Sequence, residues 1–439
     1  MERYNEYKDS GVHWLGEIPS HWDMLALKHI LKLRKKLVGK QSYKYDLLSL
    51  TLQGIIKRDI NNPTGKFPSS FDTYQEVNAG DFVFCNFDNE ETPRAVGLSE
   101  YKGMITGAYD VLSCKNSNLT NRYLIYYFLY IDDAKRFKPL YKGLRKTVPF
   151  DSFMSYKIPV PSIEEQLAIA LYLDTTTAKI DEAIAQQQKM IDLLNERKQI
   201  IINNAVTRGL NPDAPMKDSG VDWIGEIPEH WEVMPIKRLK SKEKNAFVDG
   251  PFGSNLKSEH FVENGDVYVI ESGLITTGKY VHRELKTITK SHFETIKRSE
   301  CKANDIIIAK IGARFGMAGE LPELGKPCVV SGNSLKLTLD QSVMQNGMFV
   351  NYMGLAKWKG GFVGLYQETA QPALSLGALN NMMLPVPPIE EQLYILEQTN
   401  QKLDILDVAI INASKQISLL QERKQIIIND VVTGKVKVS

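Results

Sequence analysis

The sequence predicts two mixed α/β (α+β) domains carried on two long helices that pair with each other as a coiled coil, the whole chain being an internal repeat. Three observations lead there. Residues 160–206, VPSIEEQLAIALYLDTTTAKIDEAIAQQQKMIDLLNERKQIIINNAV, return without a gap as residues 386–432, a shift of 226 (386 − 160). A second motif, KDSGVHWLGEIPSHW at 8–22, returns as KDSGVDWIGEIPEHW at 217–231, a shift of 209 (217 − 8). Both copies of the long segment also place apolar residues at alternating spacings of four and three, the pattern of a heptad seam. Self-similar segments of this length fix the architecture before any single element is assigned.

Each long segment reads as one helix. Pro161 and Pro387 suit an extended approach, and Glu164, Glu165, Glu390 and Glu391 put negative charge in the first turn, where the helix dipole favours it. No Pro or Gly interrupts either copy. At about 1.5 Å per residue each helix runs to roughly 65 Å. The first seam passes through Leu173, Thr177, Ile180, Ile184, Gln187, Ile191, Leu194, Lys198, Ile201 and Ala205. The second passes through Thr399, Leu403, Leu406, Ile410, Ala413, Ile417, Leu420, Lys424, Ile427 and Val431. Neither seam is satisfied alone, so each copy is the expected partner of the other, with Ile184, Ile191 and Leu194 buried against Ile410, Ile417 and Leu420. Two amphipathic helices on separate cores form the alternative, which leaves the faithful repetition of the seam without a cause. Lys198 and Lys424 sit at one seam position. An antiparallel pair would set each helix end beside the other's start, where these lysines are expected to meet first-turn acids such as Glu390 and Glu164.

The 439 residues exceed what one core organises. The two repeat shifts differ by 17 residues (226 − 209), so the second half carries 17 more residues between its Trp motif and its helix. The chain is therefore one unit written twice: Trp motif, divergent middle, long helix. The expected boundaries are a first domain at 1–160, a central helix at 161–210, a second domain at 211–386 and a C-terminal helix at 387–439. Within the middles, AGDFVFCNF at 79–87 and ANDIIIAKIG at 303–312 each read as a turn feeding a buried strand. Aromatic-rich 121–130 and 345–352 are expected to be helices packed under a sheet. Polar loops at 141–151 and 366–375 lead back to the long helices, and 211–215 is a short linker.

The formal net charge is only +2, so any nucleic-acid surface has to be local. Residues 27–40 hold six Lys/Arg and no acid, residues 237–244 hold five with one Glu, and residues 134–146 hold six more with Phe137 and Tyr141 among them. Cations interleaved with aromatics on loops suggest a phosphate-contacting face; a solvated helix face is the alternative for each cluster taken singly. In the second half, DGPFGSNLKSEHF at 249–261 sets two Gly and a Pro around Phe252, and Ser254, Asn255 and Lys257 have the chemistry to reach base edges or phosphates. Arg314, between glycines in IGARFG, follows a strand and is well mounted to probe a groove.

Chemistry-bearing motifs are missing from the sequence. There is no Asn/Asp-Pro-Pro-Tyr/Phe for methyl transfer to a base amine, no GxGxxG entering a helix, and no HExxH. Residues 273–279 space as GxxxxGK, but Tyr280 stands where a phosphate loop needs Ser or Thr to hold magnesium. His21 and His230 recur inside the Trp repeat, where packing is the expected role. Cys85, Cys114, Cys301 and Cys328 lack metal or disulfide spacing, which fits reduced thiols in the cytoplasm. The start has no apolar leader, and the longest apolar run, 123–131, is far too short to span a membrane. No catalytic residue, metal or cofactor is expected.

Two Trp-motif halves, two divergent middles and two helices that open VPxIEEQ and contain ERKQIIIN resemble the specificity subunit of type I restriction–modification systems, over essentially the whole chain. The resemblance implies that each middle is a target-recognition domain reading one half of a split double-stranded DNA site. It also implies that the helices pair as an antiparallel coiled coil that acts as spacer and, with their surroundings, dock two methyltransferase subunits, with restriction (translocase) subunits joining the complex. The residues agree independently: a duplicated reader with pseudo-two-fold symmetry suits half-sites about one helical turn, roughly 34 Å, apart, and two different readers imply an asymmetric site. The candidate DNA contacts are Arg94, Lys142, Arg145, Lys146, Phe252, Ser254, Asn255, Lys257 and Arg314. The candidate pairing seam is Ile180, Ile184, Ile191, Leu194 and Ile201 with Leu406, Ile410, Ile417, Leu420 and Ile427. A coiled-coil scaffold without DNA recognition, or a catalytic methyltransferase or nuclease, are the other readings. Selection from a random DNA pool separates the first, and an assay with S-adenosylmethionine and DNA the second.

Overall fold

The computed structural model describes residues 2–60, 68, 70–274, 284–366 and 373–438. Both repeated segments are unbroken helices, the central one Ile163–Arg208 and the C-terminal one Ile389–Val432. Compactness groups Met1–Gln188 with Ser414–Ser439 and leaves Lys189–Ala413 as a second unit, so each unit contains part of both helices.

Each Trp motif folds as a short antiparallel ribbon, Tyr7–Asp9 on Glu17–Pro19 and Met216–Asp218 on Glu226–Pro228. The recurrent glycines are needed there, since Gly11 and Gly16, and Gly220 and Gly225, all take left-handed φ between 69° and 78°. The next strand, Asp23–Ala26 or Glu232–Pro235, pairs antiparallel with the strand leading into the long helix, Lys157–Val160 or Met383–Val386. Each middle thus begins and ends side by side, which lets its interior vary without moving its ends.

Inside the middles, diverged sequences adopt one topology. The first has an antiparallel sheet in the order Leu31–Leu33, Asp110–Cys114, Phe82–Phe84, Val96–Leu98, and a mixed sheet in the order Gly54–Arg58, Leu47–Thr51, Gly103–Ile105, Gln75–Val77. The second repeats both orders with Phe247–Asp249, Ser334–Leu337, Ile306–Ala309, Ala318–Glu320, and with Lys286–Ile288, Val267–Ile270, Cys328–Val330, Glu300–Cys301. In both mixed sheets the inner two strands are the parallel pair. Phe82–Phe84 and Ile306–Ala309, the strands expected to be buried, are buried at every residue. The extra length of the second half falls largely in one place. Leu52 and Gln53 alone connect Leu47–Thr51 to Gly54–Arg58, whereas residues 271–285 connect the equivalent strands. The aromatic segments are the helices Asn121–Asp133 and Asn346–Lys359, with Tyr123, Tyr127, Phe349 and Tyr352 fully buried.

The IEEQ motif explains why the helix starts are conserved between the halves. Glu165 accepts from His21 Nε2 at 3.0 Å and Trp22 Nε1 at 3.3 Å; Glu391 accepts from His230 Nε2 at 2.8 Å and Trp231 Nε1 at 3.1 Å. Gln166 accepts from Thr120 N at 2.9 Å and donates to the carbonyls of Asn118 and Pro161. Gln392 does the same with Gln345 N and the carbonyls of Val343 and Pro387. One residue of each motif therefore holds the Trp ribbon, and the next holds the start of the aromatic helix. The expected packing role of His21 and His230 is a hydrogen bond to this carboxylate. The far ends of the long helices meet a Trp motif too. Gly209 (φ 68°) and Gly434 (φ 73°) end them, and a Cβ would strike Trp231 and Glu391 at the first, Pro19 and Trp22 at the second. A left-handed, close-packed C-terminal cap of this kind admits only glycine without strain.

Within each unit the two helices run antiparallel. In the first unit Lys424 Nζ reaches both carboxylate oxygens of Asp181 at 2.7 Å. In the second, Lys198 pairs with Asp407. Asp181 to Lys198 (198 − 181) and Asp407 to Lys424 (424 − 407) are the same step of 17, so both pairs obey one register. The seam lysines do meet acids of the facing helix, but Glu164 and Glu390 are not those acids. Counting eight residues on from Lys424 and eight back from Asp181 sets Val432, the last residue of the C-terminal helix, level with Leu173, so Glu164 lies beyond its partner's end. Burial along the seam also departs from expectation. Ile180 is buried, whereas Ile184, Ile191, Leu194, Ile201, Leu406, Ile410, Ile417, Leu420 and Ile427 are half-buried. Two helices cover a seam residue from one side only; full burial comes where a domain lies over them, at Ile169, Leu173, Ile428 and Val431 in one unit and Ala205, Val206 and Ile395 in the other.

Candidate nucleic-acid interface

Acids from elsewhere in the sequence hold some cations of the basic clusters, most of all those of 134–146. In 27–40, Arg34 lies 3.4 Å from Asp81 and 3.6 Å from Glu76, and Lys36 is 2.9 Å from Glu76. Hydrogen bonds from Lys36 and Tyr45 hold the Glu76 carboxyl below its ordinary value. Lys28, Lys32, Lys35 and Lys40 stay exposed. In 134–146, Lys135 pairs with Asp132 at 2.6 Å, Lys138 with Glu90 at 3.2 Å, and Arg136 stacks over Tyr130 and Trp14.

Residues 141–148 form a tight hairpin in which Lys142 and Thr147 exchange backbone hydrogen bonds of 2.9 and 3.0 Å. Gly143 and Lys146 turn its tip with φ of 69° and 44°. Arg145 reaches Asp88 with Nη2 at 2.6 Å and Nε at 3.2 Å, and its guanidinium lies 4.9 Å from the Phe87 ring centre. That contact holds the Asp88 carboxyl below its ordinary value. Lys146 pairs with Glu90. Of the three hairpin cations named from the sequence, Arg145 and Lys146 are thus occupied at rest, and Lys142 is exposed with no acid within 4 Å among the described residues. Arg94 sits elsewhere. It lies 3.6 Å from Asp133 and lines a cavity of about 650 Å³ with Tyr126, Thr177 and Lys424, so its guanidinium faces the helix side of its unit.

In the second half, residues 249–261 hold Phe252, Ser254, Asn255 and Lys257 exposed on one loop. Lys310 pairs with Asp249 at 2.7 Å and Gly250 N donates to Ser334 O at 3.0 Å, fixing the root of the loop. Asn255 O accepts from His292 Nε2 at 2.9 Å, and the His292 ring stacks on His260 at 4.0 Å. Ser254 Oγ donates to Asn255 Oδ1 at 3.2 Å, and Lys257 lies 3.6 Å from Glu259. Arg314 is exposed in the turn between Ile306–Ala309 and Ala318–Glu320, with no acid within 4 Å among the described residues. Gly312 and Gly316 make that turn at φ 86° and 82°, and a Cβ on Gly316 would strike Phe362. Most of the stretch 273–279, with Tyr280, and most of the 366–375 loop lie outside the described residues.

Sequence reasoning missed three things: the acids that brace the cations, the Glu–Trp and Gln–helix contacts of IEEQ, and Leu144 at the hairpin tip. The first have no local signal. The second had one, the recurrence of both motifs at fixed shifts.

The fold and these loops define a duplicated protein, two mixed α/β domains of one topology presenting different exposed loops on matching joints. The Type I restriction modification DNA specificity domain matches residues 98–191. The chain is 26% identical over 342 residues to the type I restriction enzyme MjaVIII specificity subunit of Methanocaldococcus jannaschii, covering 77% of this chain and 75% of that protein. It is 25% identical over 449 residues to the putative MjaX specificity subunit of the same organism, covering 97% and 96%. A solved chain from a study of complex assembly and conformational transition of the type I R-M system shares the fold with a TM-score of 0.69 over 95% of this chain and 99% of that one, at 12% identity. Along nearly its whole length the chain is thus similar to specificity subunits of type I restriction–modification systems.

Proposed function

We propose that residues 1–160 and 211–386 are two target-recognition domains, each reading one half of an asymmetric bipartite site in double-stranded DNA. The helices at 161–210 and 387–439 serve as the spacer and, with their surroundings, dock two methyltransferase subunits; restriction subunits complete the assembly, acting on DNA in the cytoplasm. One observation carries this reading: the middles share every strand position while their loops differ, as expected of readers of different sequences held in the same frame. Lys142, Phe252, Ser254, Asn255, Lys257 and Arg314 are the exposed contacts of choice. Arg145 and Lys146 contribute only by exchanging Asp88 and Glu90 for phosphate, and Arg94 shapes its domain's helix face. Selection of duplexes from a random pool by the full chain, followed by methylation mapping with its methyltransferase partner, tests the proposal. The expected result is one split sequence with unlike halves and a constant gap; a single continuous site, or no selected sequence, overturns it.

A further inference from the structure

Leu144 is the most exposed large apolar side chain of the described residues, at 103% of its reference area, and it stands at the tip of a heavily braced hairpin of the first domain. The bracing comes from every side of the hairpin. Tyr141 donates to Asn89 Oδ1 at 2.8 Å, Arg145 O accepts from Asp88 N at 2.7 Å, and Val148 N donates to Asn86 O at 2.8 Å. Arg145 and Lys146 add their ion pairs to Asp88 and Glu90. The left-handed Lys146 is a strained conformation that persists only because its surroundings over-determine it. A lone exposed leucine on a mobile loop needs no explanation, but this one is fixed in place with nothing to cover it, beside the exposed ammonium of Lys142.

We propose that Leu144 is a specificity-determining residue of the first domain, making an apolar contact with the 5-methyl group of a thymine in its half-site while Lys142 takes an adjacent phosphate. The assignment rests on the DNA-reading function proposed above. A phosphate gives an isobutyl group nothing, whereas the thymine methyl is the one apolar feature of the major-groove edge. Insertion between base steps would cost a few kcal/mol of unstacking, which one leucine and one free lysine offset poorly. Contact with a methyl demands no distortion of the duplex.

The test uses the full-length chain and a duplex it has selected from a random pool, with each thymine of the half-site read by the first domain replaced in turn by uracil, which removes only the methyl. At one position the wild type should lose about fourfold in affinity, the value of one buried methyl-sized group. Leu144→Ala should bind the thymine duplex about fourfold more weakly than wild type, should be indifferent to that same uracil, and should keep its melting temperature. Leu144→Met should restore the thymine preference, and Lys142→Ala should weaken all duplexes alike and lower the salt slope by about one. Wild-type affinity in Leu144→Ala overturns the proposal. A loss in Leu144→Ala that is the same on thymine and uracil duplexes assigns a base-step wedge instead and overturns the methyl contact. If the chain selects no sequence at all, the DNA-reading function fails and this contact with it.

Discussion

The two joints and the two loops of this chain at 141–148 and 366–374 differ in opposite ways. His21, Trp22 and Glu165 form the same contact as His230, Trp231 and Glu391, and Lys424–Asp181 is matched by Lys198–Asp407. The hairpin at 141–148, by contrast, closes through the bridge Lys142↔Thr147, whereas its counterpart closes through Tyr366↔Leu374 over a longer span. The difference teaches where variation is affordable. A joint residue touches two long elements at once, so a change on either side costs both; the hairpin is braced only by its own neighbours near Asp88 and Glu90.

The contrast can be broken most decisively by exchanging a whole middle. Replacing residues 232–385 with the middle of another such subunit should change one half of the recognised site completely and leave the other half and the gap unaltered, as read by methylation mapping. Both halves changing together would show that the domains are not independent.

Next in size are the joints. Trp22 and Trp231 are both fully buried, and truncation of either to Ala should cost about 3–5 kcal/mol. Thermal or denaturant unfolding should give equal losses for the two; a difference of more than about 0.5 kcal/mol, the usual limit of additivity between independent sites, would deny that the joints are equivalent.

The helix seam should show a graded response. Ile180→Ala, at a site 8% exposed, should cost about 2–5 kcal/mol. Ile191→Ala, half-buried, should lower the melting temperature by clearly less. An Ile191 variant that melts with the wild type would remove the paired helices as a source of stability.

Smaller effects belong to the charges. Lys424→Met should cost about 0.2–1 kcal/mol, as for a partly exposed ion pair, and the difference should shrink in high salt. At Glu165, burial raises the carboxyl's pKa, but the hydrogen bonds from His21 and Trp22 outweigh it and leave the group below its ordinary value of 4.5. A lowered folded pKa means that the stabilisation is complete above pH 4.5 and is lost as the pH falls through the folded value. Melting temperature should therefore drop more steeply on acidification below pH 4.5 in the wild type than in Glu165→Gln; parallel profiles would show that this carboxylate does not stabilise the joint.

What the amino-acid sequence determined by itself was everything that repeats. Periodicity is local information, so the two unbroken helices, their partnership with each other, the buried strands at Phe82–Phe84 and Ile306–Ala309, and the aromatic helices were all legible from spacing. Only the tertiary structure decided which acid answers which base. Glu76, Asp81, Asp88 and Glu90 lie far along the chain from some of the cations they hold, so a basic cluster read as free proved largely paired. The register of the helices was equally beyond reach. A heptad seam looks alike at every repeat, so Lys198 could be assigned to the facing helix but not to Asp407. That choice was made by where the domains grip the helix ends, a matter of packing rather than of pattern.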